Sequence, residues 1–221
     1  MFITYLGHSA FEIKTQNVKI LLDPFLPKVP DYDSEGVTDI LLTHGHGDHL
    51  GSTVEIARQQ GCTVTAVHEL AQYCAAQGIK ANGMNVGGWM RFPWGRTCAV
   101  PACHSSSTPD GAYAGCACGY ILEIEGTTVY YAGDTSLSQE MKMIGEIFKP
   151  DVAMLPIGGH YTMGIDHAAI AAEWVGAQVV IPMHFNTFPA IETDVSVFEE
   201  QITNAGKTPL VLDIGETIEI E

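Results

Sequence analysis

The residues with the greatest capacity for chemistry lie in "LLTHGHGDHLGST", residues 41–53. His44, His46, Asp48 and His49 share six consecutive positions there, between an apolar run and a glycine. Neutral imidazole is the commonest protein ligand for zinc, iron and similar cations, and a carboxylate bridges two such ions well. On an irregular loop, alternate side chains of H-x-H-x-D-H point apart, so His44 and His46 would serve one ion and Asp48 and His49 its neighbour. A catalytic metal keeps a position open for water and lowers that water's pKa towards roughly 7. Two ions held close together share the resulting hydroxide and polarise a substrate oxygen.

Such a site needs rigid elements beneath it. "FITYLG", "AFEIKT" and "VKILLD" read as strands, the last ending at Asp23, and "DILLTH" is an apolar run of the buried-strand kind. "STVEIARQQG" reads as a helix between a Ser52 or Thr53 cap and Gly61, followed by strand "CTVTAV" and helix "ELAQYCAAQG". After a Gly/Asn-rich entry, "WMRFPWGRTCAVPAC" reads as strands, and "GYILEIEGTTVYYAGD" as a hairpin about Glu125-Gly126. Helix "SQEMKMIGEIFKP", strand "DVAMLPIGG", helix "IDHAAIAAEWVGA" and strand "QVVIPMH" follow, then helix "VSVFEEQITNAG" and strand "TPLVLDIG". With no repeat, low-complexity tract or linker, the expectation is one α/β (α+β) domain over residues 1–221.

One regularity stands out. His44, His104, Asp134, His160 and His184 each follow an apolar, strand-like run. Ligand groups gather in loops beyond strand ends, so all five can converge on one rim.

Composition sets the surroundings. The 26 acidic and 10 basic residues give a formal charge of −16, which repels nucleic acid and anionic membranes. There is no apolar stretch of spanning length and no export signal ahead of the first strand, so the expectation is a soluble cytoplasmic protein with a small-molecule substrate. A homo-oligomer is compatible with the 46% hydrophobic content, though nothing locates an interface. The six cysteines lack paired C-x-x-C spacing, which argues against a zinc ribbon; most read as small buried hydrophobes.

Each distant residue has a plainer alternative. His104 beside Cys103 can be a core histidine, Asp134 a helix N-cap ahead of "SLSQEMK", and His184 a strand-end histidine bonded to backbone. His8 and His160 each follow a strand; either can meet a substrate oxygen or hold a ligand carboxylate in place. Asp23 fits a buttress of the histidine loop. His167 sits past an expected Asp166 N-cap, and His68 begins a helix, which gives both capping or surface roles.

"THGHGDHLG" resembles the H-x-H-x-D-H signature of the metallo-β-lactamase superfamily, and the order His104, Asp134, His184 matches it. "YLGHSAFEI", "LLDPFL", "LPIGGHYTMG" and "IPMHFNTFP" resemble one branch, the UPF0173 metal-dependent hydrolases, related to ascorbate-6-phosphate lactonases and more distantly to phospholipase-D-type members. The resemblance implies a four-layer αββα sandwich of two mixed sheets flanked by helices, with a dinuclear site at a sheet edge. It implies that His44, His46 and His104 hold one metal, Asp48, His49 and His184 the other, and that Asp134 bridges them. Two divalent ions are expected, zinc first and manganese or iron as alternatives.

The expected reaction is attack of a metal-bridging hydroxide on a small ester, lactone or phosphoester, with Asp48 orienting the nucleophile or taking its proton, and with His8 and His160 as further catalytic candidates. No G-x-S-x-G elbow is present, so no covalent intermediate is expected. The alternative is a metal-binding or sensor module of the same fold without turnover.

Overall fold

β-branched and aromatic residues open the chain as an antiparallel meander, β1 (Phe2–Gly7), β2 (Ala10–Lys14) and β3 (Lys19–Leu22). In the computed structural model, which describes residues 1–220, the chain then continues as β4 (Asp39–Leu41), α1 (Gly47–Leu50), α2 (Thr53–Gln60), β5 (Thr63–Val67), α3 (His68–Ala76) and β6 (Lys80–Met84). Strands β7 (Trp89–Phe92), β8 (Gly95–Pro101), β9 (Cys118–Ile124) and β10 (Thr127–Tyr131) follow. After them come α4 (Glu140–Phe148), β11 (Val152–Pro156), α5 (Ile165–Val175), β12 (Val179–Met183), α6 (Val195–Asn204), β13 (Thr208–Pro209) and β14 (Thr217–Glu219). Glu221, the last residue of the 1–221 domain expected from sequence, lies outside the described residues.

The chain divides into two units. The first comprises residues 1–88, 105–117 and the stretch from 213. It is a mixed seven-stranded sheet in the order β14-β1-β2-β3-β4-β5-β6, parallel from β3 to β6. One apolar face carries Ile3, Phe11, Ile13, Ile20, Leu22 and Leu41, all fully buried, and α3 packs on β5 and β6. The second unit, residues 89–104 and 118–212, is another mixed seven-stranded sheet, β13-β12-β11-β10-β9-β8-β7, parallel from β10 to β13. Helix α5 lies on β11 and between α4 and α6. Leu122, Val129, Tyr131 and Leu155 are closed to solvent there. Two mixed sheets, each with its helices, are what the family resemblance implies, and each has seven strands.

Helix ends follow local chemistry. Gly61 and Gly176 close α2 and α5 in the left-handed conformation, donating to Ala57 and Ala172 carbonyls. Asp194 caps α6 by accepting the Ser196 N–H at 3.0 Å. Asp166 does not cap α5: the helix starts after extended Gly164, and the Asp166 carboxylate, in the first turn, accepts from Gln201 instead.

Two strand expectations change. "TPLVLDIG" is not one strand, because Pro209 lacks a donor and a turn forms where Glu216 N–H donates to Asp213 O. The closing strand is β14, paired with β1. The Gly/Asn-rich Lys80–Met84 does form a strand, at the sheet edge, where polar residues face water at little cost. Among the described residues, no helix is long and apolar enough to cross a membrane.

Candidate metal centre

Strand direction positions the site residues within each unit. In the first, β1 and β3 are each antiparallel to β2, and β4 is parallel to β3, so β1, β3 and β4 run the same way. His8, Asp23 and His44 therefore emerge past like ends of one sheet. In the second, β8 and β10 are each antiparallel to β9, and β11 and β12 are parallel to β10. His104, Asp134, His160 and His184 follow those like ends.

The turn out of the strands is made by backbone that non-glycine residues rarely adopt. His8 (φ +56°), Asp23 (+40°), His160 (+48°) and His184 (+54°) all lie in the left-handed region. Each such residue costs on the order of 1 kcal/mol or more and persists because its surroundings hold it. At His8 the brace is visible: Tyr5 Oη donates to the His8 carbonyl at 3.1 Å. Burial pushes the Tyr5 phenol well above its usual range, which keeps the hydroxyl a donor.

In the first unit, buried Asp23 is the hub. Its Oδ1 accepts the Thr43 N–H at 2.8 Å, and its Oδ2 accepts from the Thr43 hydroxyl at 2.6 Å and His49 Nδ1 at 2.7 Å. The Thr43 hydroxyl has spent its hydrogen on Asp23, so at 3.0 Å it accepts from Nδ1 of His44. One carboxylate thus fixes two tautomers, leaving the Nε2 lone pair of His44 and of His49 for a ligand. His44 Nε2 stands 3.0 Å from His46 Nδ1. His8 Nε2 stands 3.2 Å from Asp48 Oδ2, and His8, Asp48 and His49 each offer a ligand atom within 4.8 Å of the others.

In the second unit Asp134 is the centre. Its Oδ2 lies 3.0 Å from His184 Nε2 and 3.6 Å from His104 Nε2. The segment around His104 is fastened to the residues after Asp134: Cys103 N–H donates to Thr135 Oγ1 at 3.0 Å, and Ser136 N–H donates to the Cys103 carbonyl at 3.2 Å. Asp134 and Thr135 cap no helix, since α4 begins at Glu140 behind Gln139. His104 is half-buried rather than a core histidine.

The sequence-predicted residues sort clearly within the units. His8, His44, His46, Asp48 and His49 come together in the first, and His104, Asp134 and His184 in the second. His160 belongs to no such group; it is exposed, with its ring edge-on to Tyr161 at 4.4 Å. Asp23 is the buttress expected of it. Thr43 escaped sequence reading, because nothing marks a threonine before a histidine as a relay.

One detail of the loop differs from expectation. Gly47–Leu50 is a helical turn, with His49 and Leu50 N–H donating to His46 O at 3.0 and 2.8 Å, so Asp48 and His49 are set by helical rather than alternating geometry. At Gly47 there is room for a side chain, since a β-carbon there would meet only Pro109 at 3.9 Å. Gly45 is needed: the same atom would lie 2.6 Å from Ala114 Cβ.

Imidazole nitrogens with fixed lone pairs beside carboxylates are the donor chemistry of divalent transition metals. No cysteine belongs to these groups among the described residues. Cys62, Cys74, Cys98 and Cys118 are buried, and Cys103 and Cys116 are exposed free thiols.

Comparison with known proteins agrees with this chemistry. A family model described as a beta-lactamase superfamily domain matches residues 2–184. A UPF0173 metal-dependent hydrolase of Bacillus cereus (strain AH187) is 44% identical over 227 residues, covering 99% of each chain. Igni18, a metallo hydrolase from the hyperthermophilic archaeon Ignicoccus hospitalis, superposes with a TM-score of 0.91 at 37% identity, over 100% of this chain and 99% of its own. YhfI of Bacillus subtilis, a metallo-β-lactamase fold protein, is 13% identical and shares the fold, with a TM-score of 0.79 over 98% of each chain.

Proposed function

This chain belongs to the UPF0173 metal-dependent hydrolases of the β-lactamase superfamily, and from that premise we propose that it hydrolyses a small ester, lactone or phosphoester at a dinuclear centre. In this reading residues 1–221 act as one hydrolase domain in the cytoplasm. His44, His46 and His104 hold one divalent ion, Asp48, His49 and His184 hold the second, and Asp134 serves both. Zinc is the first choice and manganese or iron the alternative. The observation that carries the reading is the donor set: imidazoles whose tautomers are fixed by Asp23 and Thr43, beside carboxylates past like-directed strand ends.

When bound, the ions supply Lewis acidity and bring the pKa of water towards roughly 7. The chain's own residues do the rest. Asp23, directly at His49 and through Thr43 at His44, holds the hydrogen at Nδ1, turns Nε2 outward as the donor atom and holds the rings still. His8 steadies the Asp48 carboxylate. Asp48 keeps 30% of its side chain exposed, against 0% for Asp23 and 3% for Asp134, so it is the carboxylate placed to take a proton from a nucleophile arriving from solvent. His160, exposed on its glycine-flanked turn, meets a substrate oxygen. A formal charge of −16 disfavours nucleic acid as substrate.

The test is metal analysis followed by a hydrolysis panel of p-nitrophenyl esters, lactones and bis-p-nitrophenyl phosphate. About two ions per chain are expected, with His46→Ala losing metal and turnover while its circular dichroism is unchanged. A metal-replete protein that turns over nothing across the panel would place the chain as a metal-binding or sensor module instead.

A further inference from the structure

Asp23 and Thr43 order His44 and His49, but the backbone between His44 and His46 is braced by a different segment, residues 105–117 of the same unit. Ser106 Oγ accepts the Gly45 N–H at 3.2 Å and donates to the Ala114 carbonyl at 3.3 Å. It is thus a two-way hydrogen-bonding pin between the metal loop and that segment. The fit is close: a β-carbon on Gly45 would stand 2.6 Å from Ala114 Cβ and 2.9 Å from the Ser107 carbonyl oxygen. Ser105 Oγ lies 3.5 Å from His46 Nε2, on the far side of the ring from the nitrogen that faces His44.

The segment is stiff enough to act as a brace. Thr108 N–H donates to Ala112 O at 2.9 Å, Gly111 N–H to Thr108 O at 2.8 Å, and Ala112 N–H to Thr108 Oγ1 at 3.1 Å. Ser107 and Tyr113 pair across its base. Ala114 and Thr108 are buried, and at Gly115 (φ +80°) a β-carbon would come within 2.9 Å of Val67 Cγ2, which places the segment's far end against the end of β5.

We infer that residues 105–117 form a clasp on the metal loop and that Ser106 is a positioning residue of the metal centre. It fixes the Gly45 peptide and, through it, the 3.0 Å approach of His44 Nε2 and His46 Nδ1. This rests on the ligand roles proposed above. It adds that the affinity for the ion between those histidines is set by a hydroxyl that touches no metal. Partners of this kind are worth about 10- to 100-fold in metal affinity.

The experiment is competition of the apo-protein with a chromophoric chelator for zinc, together with thermal melting of the same apo-proteins. Ser106→Ala should bind the zinc that His46→Ala loses about tenfold less tightly, with its apo melting temperature near that of the unsubstituted protein. Ser106→Thr, which keeps the hydroxyl, should restore the affinity. If Ser106→Ala binds zinc within twofold of the unsubstituted protein while His46→Ala loses an ion, the clasp is wrong and the ligand assignment stands. If His46→Ala also binds normally, the ligand assignment itself fails. Should Ser106→Ala not fold, Ser106→Cys, close in size but a weaker hydrogen-bonding group, is read the same way and decides between the same outcomes.

Discussion

Oδ2 of Asp23 stands 2.7 Å from Nδ1 of His49, and both side chains are closed to solvent. The same carboxylate takes both hydrogens of Thr43, from N–H and O–H. Asp23→Ala would remove the acceptor of three buried hydrogen bonds, at a cost of about 3 kcal/mol or more. Urea unfolding should show that loss, and zinc competition a fall of about 10- to 100-fold in affinity. Asp23→Asn should lose less stability, because its amide oxygen still accepts one hydrogen. A change under about 1 kcal/mol in Asp23→Ala, the size of a single surface-exposed hydrogen bond, would remove Asp23 from the centre of this network.

Gly158 follows β11 and packs against the backbone of His184. A β-carbon there would stand 2.2 Å from the His184 carbonyl oxygen and 2.8 Å from Ile191 Cβ. The obstacle is backbone, which cannot swing aside, so Gly158→Ala should destabilise by about 2–4 kcal/mol. Gly47→Ala makes the contrast, since its nearest neighbour would be at 3.9 Å and it begins a helical turn. Calorimetry should find the melting temperature of Gly47→Ala unchanged or raised.

His160 tests the division between holding metal and meeting substrate. It is exposed and lies outside the ligand groups. His160→Ala should keep its metal content and melting temperature. Its kcat/KM on whichever panel substrate is turned over should fall about tenfold, the worth of one hydrogen bond of about 1.4 kcal/mol. Loss of metal on this substitution would make His160 a ligand instead.

The buried thiols predict how stability responds to base. Burial pushes Cys74 up to about 11 from the usual 9, and Cys62 likewise to about 11. A folded-state value above the unfolded one means the stabilisation is complete below pH 9 and is lost as pH rises towards 11, because only the unfolded chain ionises in that window. The unfolding free energy from urea titration should therefore fall between pH 9 and 11, by on the order of 2 kcal/mol for Cys74. Cys74→Ala should flatten that slope. At pH 8, alkylation of the native protein should mark exposed Cys103 and Cys116 and spare Cys62 and Cys74.

Much of the site was legible before any coordinates. His44, His46, Asp48 and His49 are neighbours in any fold that folds at all, so their chemistry follows from spacing alone. The strand-end positions of His104, Asp134 and His184 follow from apolar runs, and their order matches the family signature. Less legible was the local geometry. Alternation suggested an irregular loop, whereas backbone donors to His46 O wind Gly47–Leu50 into a helical turn. Asp166 looked like a cap, yet its helix begins after Gly164.

What the sequence determined by itself is therefore the donor chemistry and the elements that carry it, because periodicity and turn residues act over a few positions. Only the tertiary structure decided who holds whom. Asp23 reaches His49 because β3 and β4 pair in parallel, register Leu22 with Leu41, and end side by side. Asp134 meets His184, fifty residues on, because β10 and β12 flank β11 in one parallel run. Ser106 finds Gly45 because a glycine lets two backbones approach where any β-carbon would collide with Ala114. Such contacts depend on strand order and register, which are fixed by the burial of whole faces and leave no mark at the residues that meet.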